Sequence, residues 1–459
     1  MIGLNQRKKV HFVGIGGVGM SGLAEFLWSS GYAVTGSDKQ ASPITKRLES
    51  LGVKLQYDHT PNLIKETNLA VYSSAIREDN PERAYAAEHR IPLMRRAEML
   101  GELMRMKFSI AVAGTHGKTT TTSLIGQILS DAGKTPTVIV GGILRRYDTN
   151  AITGAGEVLV AEADEYDRSF LKMYPSVAVV TNIEEDHLDC YSGIEDIKAA
   201  FLQFANLVPF YGALVACTDE PQVRELLASY SKPVVSYGID TDADYTARDI
   251  SFAQGKTSCA VYRKHERLGL LELPIPGFHN VKNALAACAV ATELGVDFAN
   301  VARSLSGFTG VRRRFEIIGE KRGVTVIDDY AHHPSEIRAT LSAAASAGYT
   351  RVVAVFQPHL YTRTRDFLGD FAAALCRADK FVVTAIYKSR EEPIEGVTGR
   401  AIVDKALALG YRHAAYVDNK ADIPAMLAPT LARGDAVVVM GAGDINEICR
   451  DILSRIQDA

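Results

Sequence analysis

A strand-like run followed by Gly-Lys-Thr predicts a phosphate-binding loop in the first half of the chain. The stretch AVAGTHGKTTTT spans residues 111–122. Longer loops of this kind carry a glycine at the position of Ala113, so the loop of this chain starts one residue later, at Gly114. Backbone N–H groups can surround phosphate oxygens, a lysine can neutralise the β- and γ-phosphates, and a threonine hydroxyl can bind Mg²⁺. The predicted nucleotide contacts are Gly114, Thr115, His116, Gly117, Lys118, Thr119 and Thr120.

A second glycine-rich loop lies near the start of the chain, in GIGGVG at residues 14–19. It follows a strand-like run and precedes a helical one, and the next strand-like run ends at Asp38. This layout is typical of a diphosphate site at a helix N-terminus. The spacing fits a nicotinamide dinucleotide or a UDP-sugar equally well, and a tight strand–helix turn is the remaining interpretation. The predicted contacts are Gly14, Gly16, Gly17, Gly19 and Asp38.

Two acidic clusters follow strand-like runs after the Gly-Lys-Thr loop. Glu162, Asp164 and Glu165 lie in AEADEYD, and Asp186 and His187 lie in NIEEDHLD. Oxygen ligands suit Mg²⁺, so the clusters indicate a metal–nucleotide site. Imidazole prefers softer metals, which makes the histidine the weakest ligand on chemical grounds and predicts that Mn²⁺ is tolerated if it does bind.

The stretch GFHNVKNALAA places Asn280 and Asn283 three residues apart, on one face of a helix. Their amides can both donate to and accept from a purine edge. Helix capping by Asn280 explains the same pattern.

Further polar residues open the last part of the chain, where two of the three stretches follow strand-like runs. The stretches RRRFE, DDYAHHPSE and QPHLYTRTRDF combine arginines, histidines and carboxylates. Because the carboxyl ends of neighbouring parallel strands share one sheet edge, these groups are expected to meet. Such a set suits an anionic substrate together with a small zwitterion.

Alternating short β-branched runs and longer helical runs predict an α/β protein built on mostly parallel sheets. With 459 residues, the chain is long enough for about three domains. We place boundaries so that the domains cover residues 1–106, 107–310 and 311–459. Residues 244–275 alternate polar and apolar side chains and predict antiparallel strands added to the central domain.

The composition argues against several classes of function and location. A net charge of −3 argues against nucleic-acid binding through bulk positive charge. The chain lacks a run of about 18 consecutive apolar residues or a signal-peptide pattern, so we expect a cytoplasmic protein without a membrane partner. The six cysteines have no CxxC spacing and are expected to be reduced thiols.

Taken in order, these motifs resemble the Mur ligase family of peptidoglycan precursor synthesis, over nearly the whole chain. The stretches GIGGVGMSG and DDYAHHP are similar to its alanine-adding members. The resemblance implies an N-terminal Rossmann-like domain for a UDP-sugar, a central P-loop ATPase-type domain and a C-terminal Rossmann-like domain. A monomer or weak homodimer is expected.

The resemblance also implies roles for individual residues. UDP-sugar contacts would include Ser73 beside the first glycine loop. Magnesium ligands would be Thr119, Glu162 and His187, and adenine contacts Asn280 and Asn283. Further ATP contacts would come from Arg314 and Asp329, and the amino-acid end would use Tyr330, His359 and Arg363. Leu360 stands where some members carry arginine, so no contact is assigned to it.

The implied reaction joins L-alanine to the lactyl carboxylate of UDP-N-acetylmuramate through an acyl phosphate made from ATP. Lys118 would stabilise phosphoryl charge, and His187 or Asp329 would accept the proton of the amine. Domain closure is expected to bring Arg314 and Asp329 toward ATP. Three alternatives remain: a ligase that adds a preformed tripeptide, a nicotinamide-dependent dehydrogenase, and a non-enzymatic nucleotide switch.

Overall fold

The computed structural model describes residues 9–73, 75–253, 255–389 and 391–456. Within these ranges the strands assemble into three sheets. The chain forms two compact units, one of residues 1–247, 261–269 and 282–305 and the other of residues 248–260, 270–281 and 306–459. The α/β architecture predicted from the alternating pattern is confirmed, with one parallel-rich sheet in each of the three predicted domain ranges.

The first sheet is parallel, with the strand order β3-β2-β1-β4-β5. Its strands are β1 (Lys9–Val13), β2 (Ala33–Ser37), β3 (Lys54–Gln56), β4 (Leu69–Tyr72) and β5 (Leu93–Arg95). Helices α1 (Val18–Ser29), α2 (Pro43–Ser50) and α3 (Pro81–Glu88) connect β1 to β2, β2 to β3 and β4 to β5, and α4 (Arg96–Met104) follows β5. Each of these three helices returns the chain to the start of the next parallel strand, as βαβ units require.

The second sheet has the order β15-β14-β13-β12-β11-β10-β6-β9-β7-β8. Its strands are β6 (Phe108–Ala113), β7 (Thr137–Leu144), β8 (Thr149–Ile152), β9 (Val158–Glu162), β10 (Val177–Val180), β11 (Ala213–Cys217), β12 (Val234–Gly238), β13 (Tyr245–Ala253), β14 (Lys256–Arg263) and β15 (Glu266–Leu273). Its helices are α5 (Lys118–Asp131), α6 (Ile194–Asn206), α7 (Pro221–Ala228), α8 (Phe278–Glu293) and α9 (Phe298–Ser306).

The middle of this sheet is parallel, whereas β7 and β8 pair antiparallel. The predicted strands of residues 244–275 are present as β13–β15. Only two residues separate β14 from β15, a length that suits a hairpin and not a parallel crossover. Helix α1 packs on β7 and β8, where Gly22 lies against Ala151.

The third sheet has the order β16-β17-β21-β18-β19-β20, and β16 is antiparallel to β17. Its strands are β16 (Glu316–Lys321), β17 (Val324–Asp329), β18 (Arg351–Phe356), β19 (Lys380–Val383), β20 (Ala414–Tyr416) and β21 (Asp435–Met440). Its helices are α10 (Pro334–Ser346), α11 (Tyr361–Asp366), α12 (Leu368–Leu375), α13 (Gly399–Ala408), α14 (Ile423–Leu427) and α15 (Ile448–Arg455). Strand β21 is buried along its length, as expected for a central parallel strand covered on both faces.

Short 3₁₀ helices occur at Ile64–Glu66, Tyr166–Lys172, Lys420–Asp422, Ala428–Thr430 and Ile445–Glu447. All six cysteines lie in described segments and are free thiols. None of the helices in the described residues is both long enough and apolar enough to cross a membrane.

Candidate functional site

The Gly-Lys-Thr loop connects β6 to α5, and two of its positions require glycine. Gly114 has φ +141° and Gly117 has φ +83°, conformations that L side chains rarely adopt. A Cβ on Gly114 would collide with the hydroxyl of Thr181, and one on Gly117 would lie 2.5 Å from the side-chain oxygen Oδ1 of Asn283. Both glycines are therefore fixed by backbone conformation and by close packing.

The end of β10 supports this loop from the side. The Thr181 hydroxyl donates to the His116 carbonyl over 2.6 Å, and the Asn182 side-chain oxygen accepts from the His116 N–H over 2.8 Å. The Thr115 N–H donates to the Asn182 carbonyl over 3.1 Å. The buried Thr120 lies in the first turn of α5. Neighbouring strand residues thus hold the loop open around the N-terminus of a helix, where an anion is stabilised.

Lys118 lies inside the loop and pairs with Glu165. Its Nζ donates to the Gly114 carbonyl over 2.7 Å and to Glu165 Oε2 over 2.7 Å. Burial would lower the pKa of Lys118, but Glu165 and its acidic neighbours outweigh burial and raise that pKa. Burial raises the pKa of Glu165 to about 7, against the opposing attraction of Lys118. The lysine is therefore cationic at the position where phosphate oxygens would collect.

Glu162 contacts the threonine that follows this lysine. The Thr119 hydroxyl donates to Glu162 Oε2 over 2.9 Å, and the Gly141 N–H donates to the same oxygen over 2.7 Å. Glu162 ends β9, which is the neighbour of β6 in the sheet. The structure thus brings two of the predicted magnesium ligands together.

His187 belongs to a separate cluster, with Asp164 and Glu165. One ligand atom from each of these side chains lies within 4.8 Å of the others. The His187 Nε2 is 3.7 Å from Glu165 Oε1, and its backbone has φ +54°, an uncommon value outside glycine. The two acidic clusters therefore meet through His187 and Glu165. Glu162 instead contacts Thr119.

The two asparagines of α8 make different contacts. Asn283 accepts through its side-chain oxygen from the Thr121 hydroxyl over 3.2 Å, so it adjoins the first turn of α5. Asn280 donates through its side-chain amide to the Pro276 carbonyl over 2.7 Å. Asn283 is thus part of the Gly-Lys-Thr site, whereas Asn280 supports the start of its own helix.

The first glycine loop is closed by its own hydrogen bonds. The N–H groups of Gly14 and Ile15 both donate to the Ser37 carbonyl over 2.9 Å. The Gly16 N–H donates to Asp38 Oδ2 over 2.8 Å, and a Cβ on Gly16 would lie 2.8 Å from that oxygen. These amides therefore shape the loop, so a ligand would meet the residues that follow them.

The next residues form the N-terminus of α1, with Gly17 as its N-cap. The first N–H groups of a helix have no partner within that helix, so this end suits a phosphate. A Cβ on Gly19 would overlap the guanidinium of Arg96. Ser73 lies on the other side of the loop, its hydroxyl 3.8 Å from the position of a Cβ on Gly14.

Arg96 was not predicted from the sequence, although it is placed like an anion-binding residue. It is the first residue of α4, directly after β5. The signal available in the sequence was only the pair of arginines in MRRAEML, because the three-residue strand β5 before Arg96 was not recognised. A single arginine after a strand is common on surfaces, so only the contact with Gly19 distinguishes it.

A cleft of about 230 Å³ is lined by residues near the first glycine loop and by residues near the Gly-Lys-Thr loop. On one side it is lined by Gly19 and Arg96 and on the other by Gly141, Glu162 and Asp164. Its apolar lining comes from Leu23, Leu100, Ile139, Val140 and Met173. A molecule held at the N-terminus of α1 can therefore extend to the carboxylates beside the Gly-Lys-Thr loop.

In the second compact unit, Asp329 joins two segments, one that carries Arg314 before β16 and one that carries Tyr330 after β17. Asp329 accepts from the N–H groups of Phe315 and Ala331, each over 2.8 Å. Burial raises its pKa, with the Arg314 charge opposing. The Arg314 guanidinium lies 5.2 Å from the centre of the Tyr330 ring. The predicted Arg314, Asp329 and Tyr330 are therefore close together.

His359 and Arg363 are also brought together. Arg363 Nη1 lies 3.4 Å from His359 Nδ1, and Arg363 is buried. The ring of His332 links the two groups, because it lies 5.3 Å from Tyr330 and 6.1 Å from His359 between ring centres. Leu360 has φ +70° and is buried.

Three family models match the chain. The description "Mur ligase family, catalytic domain" matches residues 9–108, "Mur ligase middle domain" matches residues 112–291, and "Mur ligase, glutamate ligase domain" matches residues 313–443. Together they cover most of the chain.

The chain is similar to UDP-N-acetylmuramate–L-alanine ligases. It is 51% identical to that of Salinibacter ruber over 445 residues, 96% of this chain and 94% of the relative. It is 47% identical to that of Syntrophus aciditrophicus over 451 residues, 98% of this chain and 94% of the relative.

Two solved structures extend the comparison. The UDP-N-acetylmuramate-alanine ligase of Thermotoga maritima has a TM-score of 0.81 at 33% identity, with coverage of 98% of this chain and 99% of that chain. A murein peptide ligase of Psychrobacter arcticus has a TM-score of 0.71 at 26% identity, with the same coverage.

Proposed function

Because this chain belongs to the Mur ligase family, we propose that it is an ATP-dependent ligase that joins L-alanine to the lactyl carboxylate of UDP-N-acetylmuramate. The products are UDP-N-acetylmuramoyl-L-alanine, ADP and phosphate, in the synthesis of peptidoglycan precursors. Relatives with this name reach 51% identity and extend over nearly the full chain. The tripeptide-adding alternative is not favoured, since the similar murein peptide ligase structure is less identical and less superimposable.

The single observation that carries the site assignment is the cleft shared by Gly19, Arg96 and Glu162. The UDP diphosphate would bind the N-terminus of α1 with Arg96 as its counter-charge. The muramoyl group would then extend along the cleft toward Glu162 and the Gly-Lys-Thr loop. This placement explains why one chain carries two phosphate-binding loops, one for a nucleotide that is kept and one for a nucleotide that is cleaved.

The first chemical step belongs to the Gly-Lys-Thr loop. A lactyl carboxylate oxygen attacks the γ-phosphorus of ATP, a P–O bond forms, and the bond to the β,γ-bridging oxygen breaks with its electron pair leaving on ADP. Lys118 neutralises charge on the phosphoryl oxygens in a buried site, where such an interaction is stronger than in water. Its present hydrogen bonds to the Gly114 carbonyl and Glu165 hold the ammonium at that position.

Mg²⁺ fits the donor groups near this loop. Thr119 and Glu162 offer hard oxygen atoms 2.9 Å apart, and His187 lies with Asp164 and Glu165 in a second cluster of ligand atoms. We assign Thr119, Glu162 and His187 to the metal, with Mn²⁺ tolerated because of the imidazole. When bound, the ion would neutralise phosphate charge and help to orient the γ-phosphate.

The second step uses the neutral amine of L-alanine. Its lone pair attacks the acyl carbon and a C–N bond forms, the nitrogen gives up one proton to a base, for which His187 and Asp329 are the candidates, and the C–O bond to phosphate breaks with its electron pair leaving on phosphate. Tyr330, His359 and Arg363 are proposed to bind the amino acid, and Arg363 supplies the charge that a carboxylate needs. Asp329 already accepts hydrogen bonds from two backbone N–H groups, so we assign it to orienting the Arg314 loop for ATP.

We further propose domain boundaries at residues 106/107 and 310/311, adenine contacts from Asn280 and Asn283, and a monomer or weak homodimer. Action on ATP and a UDP-sugar favours a cytoplasmic enzyme without nucleic-acid or membrane partners.

The test is phosphate release from ATP and Mg²⁺, with UDP-N-acetylmuramate present and with L-alanine added or omitted. We expect release only when both substrates are present, together with the mass of one alanyl residue gained by the UDP-sugar. Release supported by L-Ala-γ-D-Glu-meso-diaminopimelate but not by L-alanine would replace this proposal with the tripeptide-adding activity. Slow release that neither acceptor changes would indicate a nucleotide switch.

A further inference from the structure

A buried carboxylate lies beneath the first glycine loop, outside the groups used in the reaction. Glu82 is fully buried and accepts hydrogen bonds on both oxygens. His11 Nε2 and the Gln56 amide contact Oε1 over 2.9 and 3.2 Å. His59 Nδ1 contacts Oε2 over 2.8 Å, and the Ser37 hydroxyl donates to the same oxygen. We call these five side chains the Glu82 network.

Both oxygens of Glu82 have hydrogen-bonding partners, and a carboxylate can accept up to about four hydrogen bonds. The four partners lie on β1, on β2, on β3 and in the loop that follows β3. Glu82 is the second residue of α3, where the helix dipole favours negative charge. The network therefore joins β1, β2 and the end of β3 to the start of α3 through one buried side chain.

Ser37 transmits this position to the glycine loop directly. Its hydroxyl donates to Glu82, while its carbonyl accepts the N–H groups of Gly14 and Ile15 over 2.9 Å. The same residue is therefore held at its side chain by Glu82 and at its backbone carbonyl by the loop. A shift of Ser37 would move the first turn of the loop with it.

Asp38 provides a second connection. Its N–H donates to the Gln56 carbonyl over 3.0 Å, and the Gln56 side chain donates to Glu82. The Asp38 carboxylate accepts the Gly16 N–H over 2.8 Å. Two adjacent residues at the end of β2 thus connect the Glu82 network to every loop amide from residue 14 to residue 16.

We propose that Glu82 is a positioning residue for UDP-sugar binding. The buried carboxylate holds the end of β2 at the place that gives the loop its shape, and the loop sets the direction of the α1 N-terminus. The ligand assignment rests on the proposed function of that loop. Glu82 touches neither ATP nor L-alanine in this proposal, so its loss should weaken the binding of UDP-N-acetylmuramate alone.

The test is Glu82→Gln, measured by calorimetric binding of UDP-N-acetylmuramate and by steady-state kinetics. The substitution keeps the shape of the side chain but replaces an accepting oxygen with an N–H₂ group that faces existing donors. We expect the Kd and the KM for UDP-N-acetylmuramate to rise about tenfold or more, because buried donors lose their acceptor. The KM for ATP and kcat at saturation should stay within about threefold.

Asn80→Ala is the matched control. The Asn80 side chain caps α3 by accepting from the N–H groups of Glu82 and Arg83, so its loss weakens the same helix and leaves the carboxylate in place. We expect a lower Tm with an unchanged Kd for UDP-N-acetylmuramate. An equal rise in Kd in both variants would overturn the positioning role, since general loss of stability would then explain it.

Ser37→Ala keeps the proposal testable if Glu82→Gln does not fold. It removes one donor to Glu82 and leaves the Ser37 carbonyl, so a rise of about threefold in the same Kd is expected. An unchanged Kd in Ser37→Ala or in folded Glu82→Gln would contradict the proposal. Because binding is measured without ATP, wild-type protein that binds the UDP-sugar but forms no alanyl product would disprove the proposed reaction and leave this inference standing.

Discussion

The two glycine loops each precede a helix, yet they are built differently. The loop at residues 14–16 is closed by amides that donate to Ser37 and Asp38 at the end of the neighbouring strand. The loop at residues 114–117 is supported from outside by Thr181 and Asn182 and carries a lysine that reaches back inside it. The amides of the first loop thus bind the neighbouring strand, whereas the second loop surrounds a cationic side chain.

This difference matches the proposed fate of the two nucleotides. A diphosphate that is only held needs a helix N-terminus and a counter-charge, which we propose that α1 and Arg96 provide. A triphosphate that is cleaved needs charge placed where it develops in the transition state, which we propose that Lys118 provides. Damage at the second loop should therefore reduce kcat, and damage at the first should weaken binding of one substrate.

The largest effect is expected for Lys118→Ala. Removal of the ammonium takes away the buried charge that stabilises the transferring phosphoryl group, and kcat should fall about 10³-fold. Protonation of Glu165, whose pKa burial raises to about 7, limits the cost of leaving that carboxylate unpaired. Coupled phosphate-release assays at saturating substrates measure the change.

Lys198→Ala is the matched control, because Lys198 pairs with Glu195 and Glu225 far from either loop in sequence. It should retain wild-type kcat. Activity of Lys118→Ala within about threefold of the wild type would contradict the distinction between a holding loop and a reacting loop.

An intermediate effect is expected from an added methyl group at one glycine of each loop. Gly19→Ala should raise the KM for UDP-N-acetylmuramate about tenfold, because the methyl group displaces the Arg96 guanidinium. Gly117→Ala should raise the KM for ATP and lower kcat, because a left-handed conformation is lost beside Asn283. Steady-state kinetics with each substrate varied in turn separates the two.

Gly31→Ala serves as the control for backbone strain alone, since its φ is +85° and no atom lies within 4 Å of an added Cβ. It should lower stability and leave both KM values unchanged. If Gly19→Ala and Gly117→Ala raise the same KM, the two loops do not bind separate substrates.

The sequence predicted the loops well because each is a local pattern of strand, glycine and helix. Gly114, Lys118 and Asp38 all lie where that pattern placed them. The predicted strands of the three sheets were recognised from continuous β-branched runs, whereas short or partly exposed strands such as β3, β5 and β20 were not.

Contacts between distant segments were not predictable from spacing. Glu82 meets His11 across 71 residues, and nothing in the local sequence of either indicates the other. Arg96 was also not predicted as a site residue, because only its contact with Gly19 of another helix places it at the first glycine loop. The acidic clusters were predicted to form one site. Only the tertiary structure shows that Glu162 contacts Thr119 and that Glu165 pairs with Lys118.

The smallest effect is a pH dependence of stability that arises at the second loop. Burial raises the pKa of Glu165 from its ordinary value of 4.5 to about 7 in the folded protein, so the native state binds the proton more tightly than the unfolded chain. The stability from this group is fully present below pH 4.5 and is lost as the pH rises through 7.

Glu165→Gln removes this titration, so its Tm should fall less between pH 5 and pH 8 than that of the wild type, by roughly 2–4 °C. Differential scanning calorimetry of the ligand-free protein at both pH values measures the difference in Tm. Glu225→Gln, which removes an exposed carboxylate from the same unit, is the control for lost surface charge. An identical Tm difference in wild type and Glu165→Gln would mean that Lys118 keeps Glu165 ionised throughout. The second loop would then hold a permanent ion pair in its ligand-free state, and release of Lys118 to phosphate would have to leave a charged carboxylate behind.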